Sequence, residues 1–110
     1  MHLGDFEQIL LFAVLRLGER AHGGAIRGEI ERRIGRTVSP GATYTALDRL
    51  EERGFVRSWI GETAPGRGGR RRKYYALSAA GARALERTYS DLHSMASGLL
   101  PKLNALAEGR

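Results

Sequence analysis

Cysteine is absent from this 110-residue chain. Disulfides and thiolate metal sites are therefore excluded, and a reducing, cytoplasmic setting fits. Aromatic residues are sparse at 7%, with one tryptophan, Trp59. Proline occurs only at Pro40, Pro65 and Pro101. The longest apolar run, Ile9 to Leu15, is far shorter than the roughly 20 residues that cross a bilayer. It follows acidic residues rather than a basic segment, so it does not read as a signal peptide, and no membrane is expected as a partner. His2, His22 and His93 lack metal-ligand spacing. The serines have no nucleophile-elbow motif around them. Gly66-Arg67-Gly68-Gly69 lacks the strand-to-helix context and the Lys-Ser/Thr ending of a phosphate loop. Catalysis, a metal and a cofactor are all unexpected.

Apolar residues make up 42% of the chain, enough for one small core. The net charge of +6 is unevenly placed. Residues 1–66 carry nine Arg and nine acidic groups, so they are neutral overall. Residues 67–110 carry nine cations against three acids and hold all of the excess. Five cations fall between Arg67 and Lys73. Such a cluster is either a solvated loop or a polyanion contact.

Apolar spacing predicts a first helix over residues 5–17, with Phe6, Ile9, Leu10, Ala13, Val14 and Leu17 on one face. Leu11, Phe12 and Leu15 add apolar groups elsewhere on it, which implies cover from more than one side, the second from a partner subunit. Ala21 to Gly24 reads as a turn. A second helix follows from about Ala25 to Ile34, closed by Gly35. Ser39 as N-cap and Pro40 in the first turn open a third helix, whose inward stripe is Ala46, Leu47 and Leu50. Gly54 ends it. Two strands are predicted, Val56–Ile60 and Lys73–Leu77. Between them Gly61 to Arg72 holds four Gly and one Pro, the composition of a wing loop.

Ser78 caps a last helix running from about Ala79 towards Ala107. Leu85, Tyr89, Leu92, Ala96, Leu99, Leu103 and Leu106 are spaced 4, 3, 4, 3, 4, 3, a heptad seam. Gly98 and Pro101 predict a kink or break within it. So long a seam in so small a chain lacks intramolecular cover, which points to a homodimer. The fold class is thus mainly α with a two-stranded β-hairpin: a winged helix-turn-helix over residues 1–77, then a long C-terminal dimerisation helix over 78–110. A winged unit lays one helix in the major groove of double-stranded DNA and a basic hairpin on the backbone.

The run Ser39-Pro40-Gly41-Ala42-Thr43-Tyr44-Thr45-Ala46-Leu47-Asp48-Arg49-Leu50-Glu51-Glu52-Arg53-Gly54 resembles the PadR-like family of winged-helix transcriptional regulators. So do the Gly/Arg-rich wing leading into Arg72-Lys73-Tyr74-Tyr75-Ala76-Leu77-Ser78, and Ala80-Gly81 after it. The resemblance covers nearly the whole chain and is closest to the smaller branch, with a single C-terminal helix. It implies a homodimeric repressor. Thr43 stands where the family often has Leu, and Thr45 where it often has Pro, so operator sequence does not carry over. The family often has an aromatic residue in the turn that is His22-Gly23-Gly24 here.

Several side chains follow as candidate contacts to DNA. Ser39, Gly41, Ala42, Tyr44, Thr45 and Arg49 lie away from the inward stripe of the third helix. Arg49 either contacts guanine or phosphate, or pairs with Glu52 on a solvated face. Tyr44 either contacts DNA or wedges against the second helix. Asp48 positions Arg49 or reads a cytosine amino group. Arg67, Arg70, Arg71 and Lys73 are wing candidates for phosphate or minor groove, while strand alternation turns Arg72 to the other face. Of Tyr74 and Tyr75, one ring is expected in the core and one outside. Phe6, Leu10, Leu85, Tyr89, Leu92, Ala96, Leu99 and Leu103 are the dimer-interface candidates. Trp59 packs on the first helix or lines a cleft. Phe6, Trp59 and Tyr89, with the resemblance, suggest a small planar aromatic effector near the dimer centre. The rival classes are a non-specific architectural nucleic-acid binder and a winged-helix protein-interaction module.

Overall fold

A computed structural model of the chain describes residues 3–63 and 71–109. The first helix, α1, spans Asp5–Leu17. The Gly4 N–H donates to Glu7 Oε1 at 2.8 Å, which satisfies an orphan donor at its start. A short 3-10 turn, Gly18–Arg20, leads to α2, Gly23–Ile34. Helix α2 begins two residues earlier than its composition suggests, because the His22 ring acts as its cap: Nδ1 accepts from the Ala25 N–H at 3.3 Å. Ser39 Oγ accepts from the Ala42 N–H at 3.1 Å and opens α3, Pro40–Glu52. Thr43 is fully buried in α3, where its hydroxyl donates to the Ser39 carbonyl at 2.9 Å. That bond removes the cost of placing a hydroxyl where an aliphatic group would pack.

Gly54, at φ 79°, turns the chain out of α3 into β1, Val56–Thr63, which pairs antiparallel with β2, Arg71–Leu77. Both strands are longer than predicted. The register sets Val56 against Leu77, Ser58 against Tyr75 and Trp59 against Tyr74. A third edge joins them: the Tyr75 N–H donates to the Ala21 carbonyl at 2.9 Å, and His22 bridges to Tyr74. Local composition gave only a turn here, because the pairing is made across more than 50 residues of chain.

The core joins Leu3, Leu10, Leu11, Val14, Ile26, Leu47, Leu50, Phe55, Tyr75 and Leu85. Helix α4, Ala79–Ala96, starts on a Ser78 cap and places its first turns in this core. A Cβ on Gly81 would overlap the Phe55 carbonyl oxygen, so glycine there is what lets α4 seat. The chain then breaks as expected: Gly98 takes φ 78°, and α5, Leu100–Ala107, follows. The heptad seam is therefore divided between two helices rather than continuous. Neither α5 nor the second half of α4 buries a residue.

Candidate nucleic-acid interface

Helix α3 divides cleanly into two faces. Thr43, Leu47 and Leu50 point inward and are fully buried. Gly41, Ala42, Tyr44, Thr45, Asp48 and Arg49 form the outer face and are exposed, as is the Ser39 cap. Arg49 makes no ion pair among the described residues, so the pairing with Glu52 is not formed. Its five donors are free for an external acceptor. Tyr44 wedges against the second helix without being enclosed by it. Its phenol end lies on Gly23, where a Cβ would overlap it, yet 41% of the residue stays exposed.

The carboxylate of Glu51 fastens α3 to both strands. Ser58 of β1 donates to Oε2 at 2.6 Å, and the Lys73 ammonium of β2 lies 3.5 Å from Oε1. Lys73 also sits over the Tyr75 ring, 5.7 Å from its centroid. Nothing in the sequence pattern singled out Glu51, since its partners come from the hairpin. Arg71 is exposed at the start of β2. Arg67 and Arg70 lie outside the described residues.

The two tyrosines of β2 part as expected. Tyr75 is fully buried and its hydroxyl has no hydrogen-bond partner among the described residues. Burial pushes its phenol up to about 12, helped by the neighbouring Asp48. Tyr74 lies on the opposite face, stacked on Trp59 with ring centroids 5.9 Å apart. Trp59 thus packs within the hairpin, with the Arg57 guanidinium 5.2 Å from its ring centroid, and not on α1. Phe6 lies under Arg36 and Tyr89 against Phe12. Within one chain the three rings proposed for an effector pocket do not meet.

Two of the interface candidates are also corrected. Leu10 and Leu85 are covered by the chain's own core, which leaves no surface for a partner. Phe6 is half-buried against the same core. Tyr89, Leu92, Ala96, Leu99 and Leu103 are exposed, together with Met95, Leu100 and Leu106. Phe12 and Leu15 of α1 continue this uncovered apolar surface beside Tyr89. On α2 the Glu29 carboxylate is nearly buried and bonded by Arg32 and by Arg33 Nε, the latter at 2.8 Å. The Arg33 bond holds it below the usual carboxylate range, against the opposing effect of burial. No group of three or more metal-ligating side chains exists among the described residues.

Residues 11–87 match the family model described as the Transcriptional regulator PadR-like family. The fold is shared with a PadR-like transcriptional regulator from Bacillus cereus, at TM-score 0.70 and 22% identity over 96% of this chain and 93% of that one. A PadR family transcription regulator from Clostridium difficile is similar at TM-score 0.69 and 24% identity, covering 89% and 98%. Bacillus subtilis PadR in complex with operator DNA gives TM-score 0.65 and 21% identity, over 77% of this chain and 46% of that chain. No curated protein sequence matches the chain.

Proposed function

This chain belongs to the PadR-like family of transcriptional regulators, DNA-binding proteins of winged-helix fold, and on that footing we propose that it is a homodimeric repressor of a pseudopalindromic operator. The observation that carries the reading is the outer face of α3. Its side chains Tyr44, Thr45 and Arg49 are uncovered, and Glu51 holds that helix beside the cationic start of β2. Arg49 and Tyr44 are assigned base or phosphate contacts from the major groove. Arg71 and Lys73, with Arg67 and Arg70 of the wing, are assigned the backbone. Two copies would set their α3 helices about 34–36 Å apart, one turn of the duplex, and repress by occupying promoter DNA in the cytoplasm.

The dimer reading is supported by the exposed leucines of α4 and α5, which have no cover within the chain. Residues 78–110 are assigned to dimerisation, from Tyr89 onward. A planar aromatic effector would have to be held between copies, because Phe6, Trp59 and Tyr89 lie apart within one. It would act only by binding the DNA-incompetent arrangement more tightly.

Selection of bound sequences from a random duplex pool, followed by titration of the winner against random duplex, tests the reading. A repressor of this kind prefers its operator by about 10³-fold or more at physiological salt. A ratio near one would mean an architectural binder. Binding of no duplex at moderate salt would mean a protein-interaction module.

A further inference from the structure

The outer edge of β2, beyond the His22–Tyr74 bridge, borders a cleft that brings Tyr44, Arg71 and Lys73, already assigned to DNA, together with two cations that have no assigned role, Arg27 and Arg72. Arg27 and Gly24 reach it from α2, Tyr44 from α3, and Arg71, Arg72 and Lys73 from β2. Its lining contains no acidic residue among the described residues. Lys73 has Glu51 as a partial counter-charge, but Arg27, Arg71 and Arg72 have no carboxylate partner among the described residues.

Two of those guanidiniums carry an unusual mark. The Nε atoms of both Arg27 and Arg72 are buried and have no hydrogen-bond partner among the described residues. A buried donor on a charged group, left unpaired, is costly. Two such donors, on side chains converging from different elements, describe a site short of an acceptor with negative charge. Gly24 lies in the first turn of α2, where the helix dipole favours an anion, with the His22 ring and the Arg27 guanidinium beside it.

We propose that this cleft seats one phosphate group, a backbone phosphate of the same duplex that α3 reads, clamped by Arg27 and Arg72. The proposal rests on the DNA-binding reading given above. The cleft is walled by Tyr44 of α3 on one side and by the wing strand on the other. A duplex engaged by both elements must carry its backbone across the gap between them. A phosphate held there fixes the rotation of the protein on the duplex, so that Tyr44 and Arg49 meet base edges in one register. Arg72 takes part from the Trp59 and Tyr74 side of the strand, so its turning away from Lys73 brings it towards α2 instead of leaving it idle.

The test uses Arg27→Met, which keeps the aliphatic stem, with Arg72→Met as a second variant and Arg27→Lys as the charge-keeping control. Affinity for the selected operator is measured as a function of salt. Each methionine variant should lower the log–log slope by up to about 0.9, the value for one phosphate contact, the two together by no more than that, and Arg27→Lys should largely restore it. Operators carrying a single neutral methylphosphonate at each position in turn locate the phosphate. One position should weaken the parent yet leave Arg27→Met unaffected. Unchanged slopes in both variants, or equal penalties at every position in parent and variant, would overturn the proposal. Titration of the DNA-free protein with inorganic phosphate separates the two sources of the group. Arg27-dependent phosphate binding with an unaltered DNA slope would assign the cleft to a free phosphate and overturn the DNA assignment. Failure of the parent to bind any duplex is a different result, and would take down the regulator reading along with this one.

Discussion

At the scale of single residues, the Tyr75 hydroxyl is the clearest energetic anomaly. It is fully buried and has no partner among the described residues. An unsatisfied buried polar group costs roughly 1–3 kcal/mol, so Tyr75→Phe should hold stability level or raise it by up to about 1 kcal/mol. Thermal or denaturant unfolding measures this directly. The same burial sets a pH dependence. The phenol is raised to about 12 in the fold, so the folded state favours its neutral form. Its contribution is fully present below the unfolded value near 10 and is lost as pH rises from there to about 12. That alkaline decline should shrink in Tyr75→Phe. Glycines give an opposed pair. Gly81→Ala forces a methyl into the Phe55 carbonyl, a backbone atom that cannot swing aside, and should cost about 1–3 kcal/mol or more. Gly28 sits mid-helix with open space around it, so Gly28→Ala should stabilise by about 1 kcal/mol. Denaturation midpoints of opposite shift for the two variants are the expected result.

At the scale of elements, α3 carries the sharpest functional expectation. Tyr44→Ala and Arg49→Ala should each weaken operator binding more than random-duplex binding, with roughly 1–3 kcal/mol of discrimination lost where a base contact disappears. Equal losses on both duplexes would make that residue a positioning contact. The limits of α3 were legible from sequence because Ser39, Pro40 and Gly54 act on their immediate neighbours. The bounds of α1 and the break at Gly98 were legible for the same reason. The start of α2 was not, because its cap is a histidine held by a strand far along the chain. Nor was it legible which of α1's apolar residues the chain's own core covers: Leu10 and Leu11 are both buried, while Leu15 is exposed. Periodicity marks which face is apolar but not who covers it. Arg27 went unassigned and Arg72 was only turned away from the wing contacts, because a charge run records how many cations there are, not which of them lack a counter-ion after folding.

At the scale of the whole molecule, an elongated shape of 57 × 28 × 21 Å accompanies the uncovered arm of α4 and α5. Exposed leucines at this density are rare on a stable monomer. Leu92→Asp should give a monomer in sedimentation where the parent is a dimer, since a charge buried at the interface costs several kcal/mol. A parent that sediments as a monomer at micromolar concentration would remove the dimer from the account. The fastening of α3 to both hairpin strands through Glu51 has a consequence of its own. Under the proposed reading helix and hairpin act as a caliper joined at Glu51, so the gap between them is a ruler set by the protein. A duplex gripped at both points must match that ruler or bend to it. The energy of bending depends on how stiff the intervening base steps are, and so base pairs that no side chain touches would still be sorted by their mechanics.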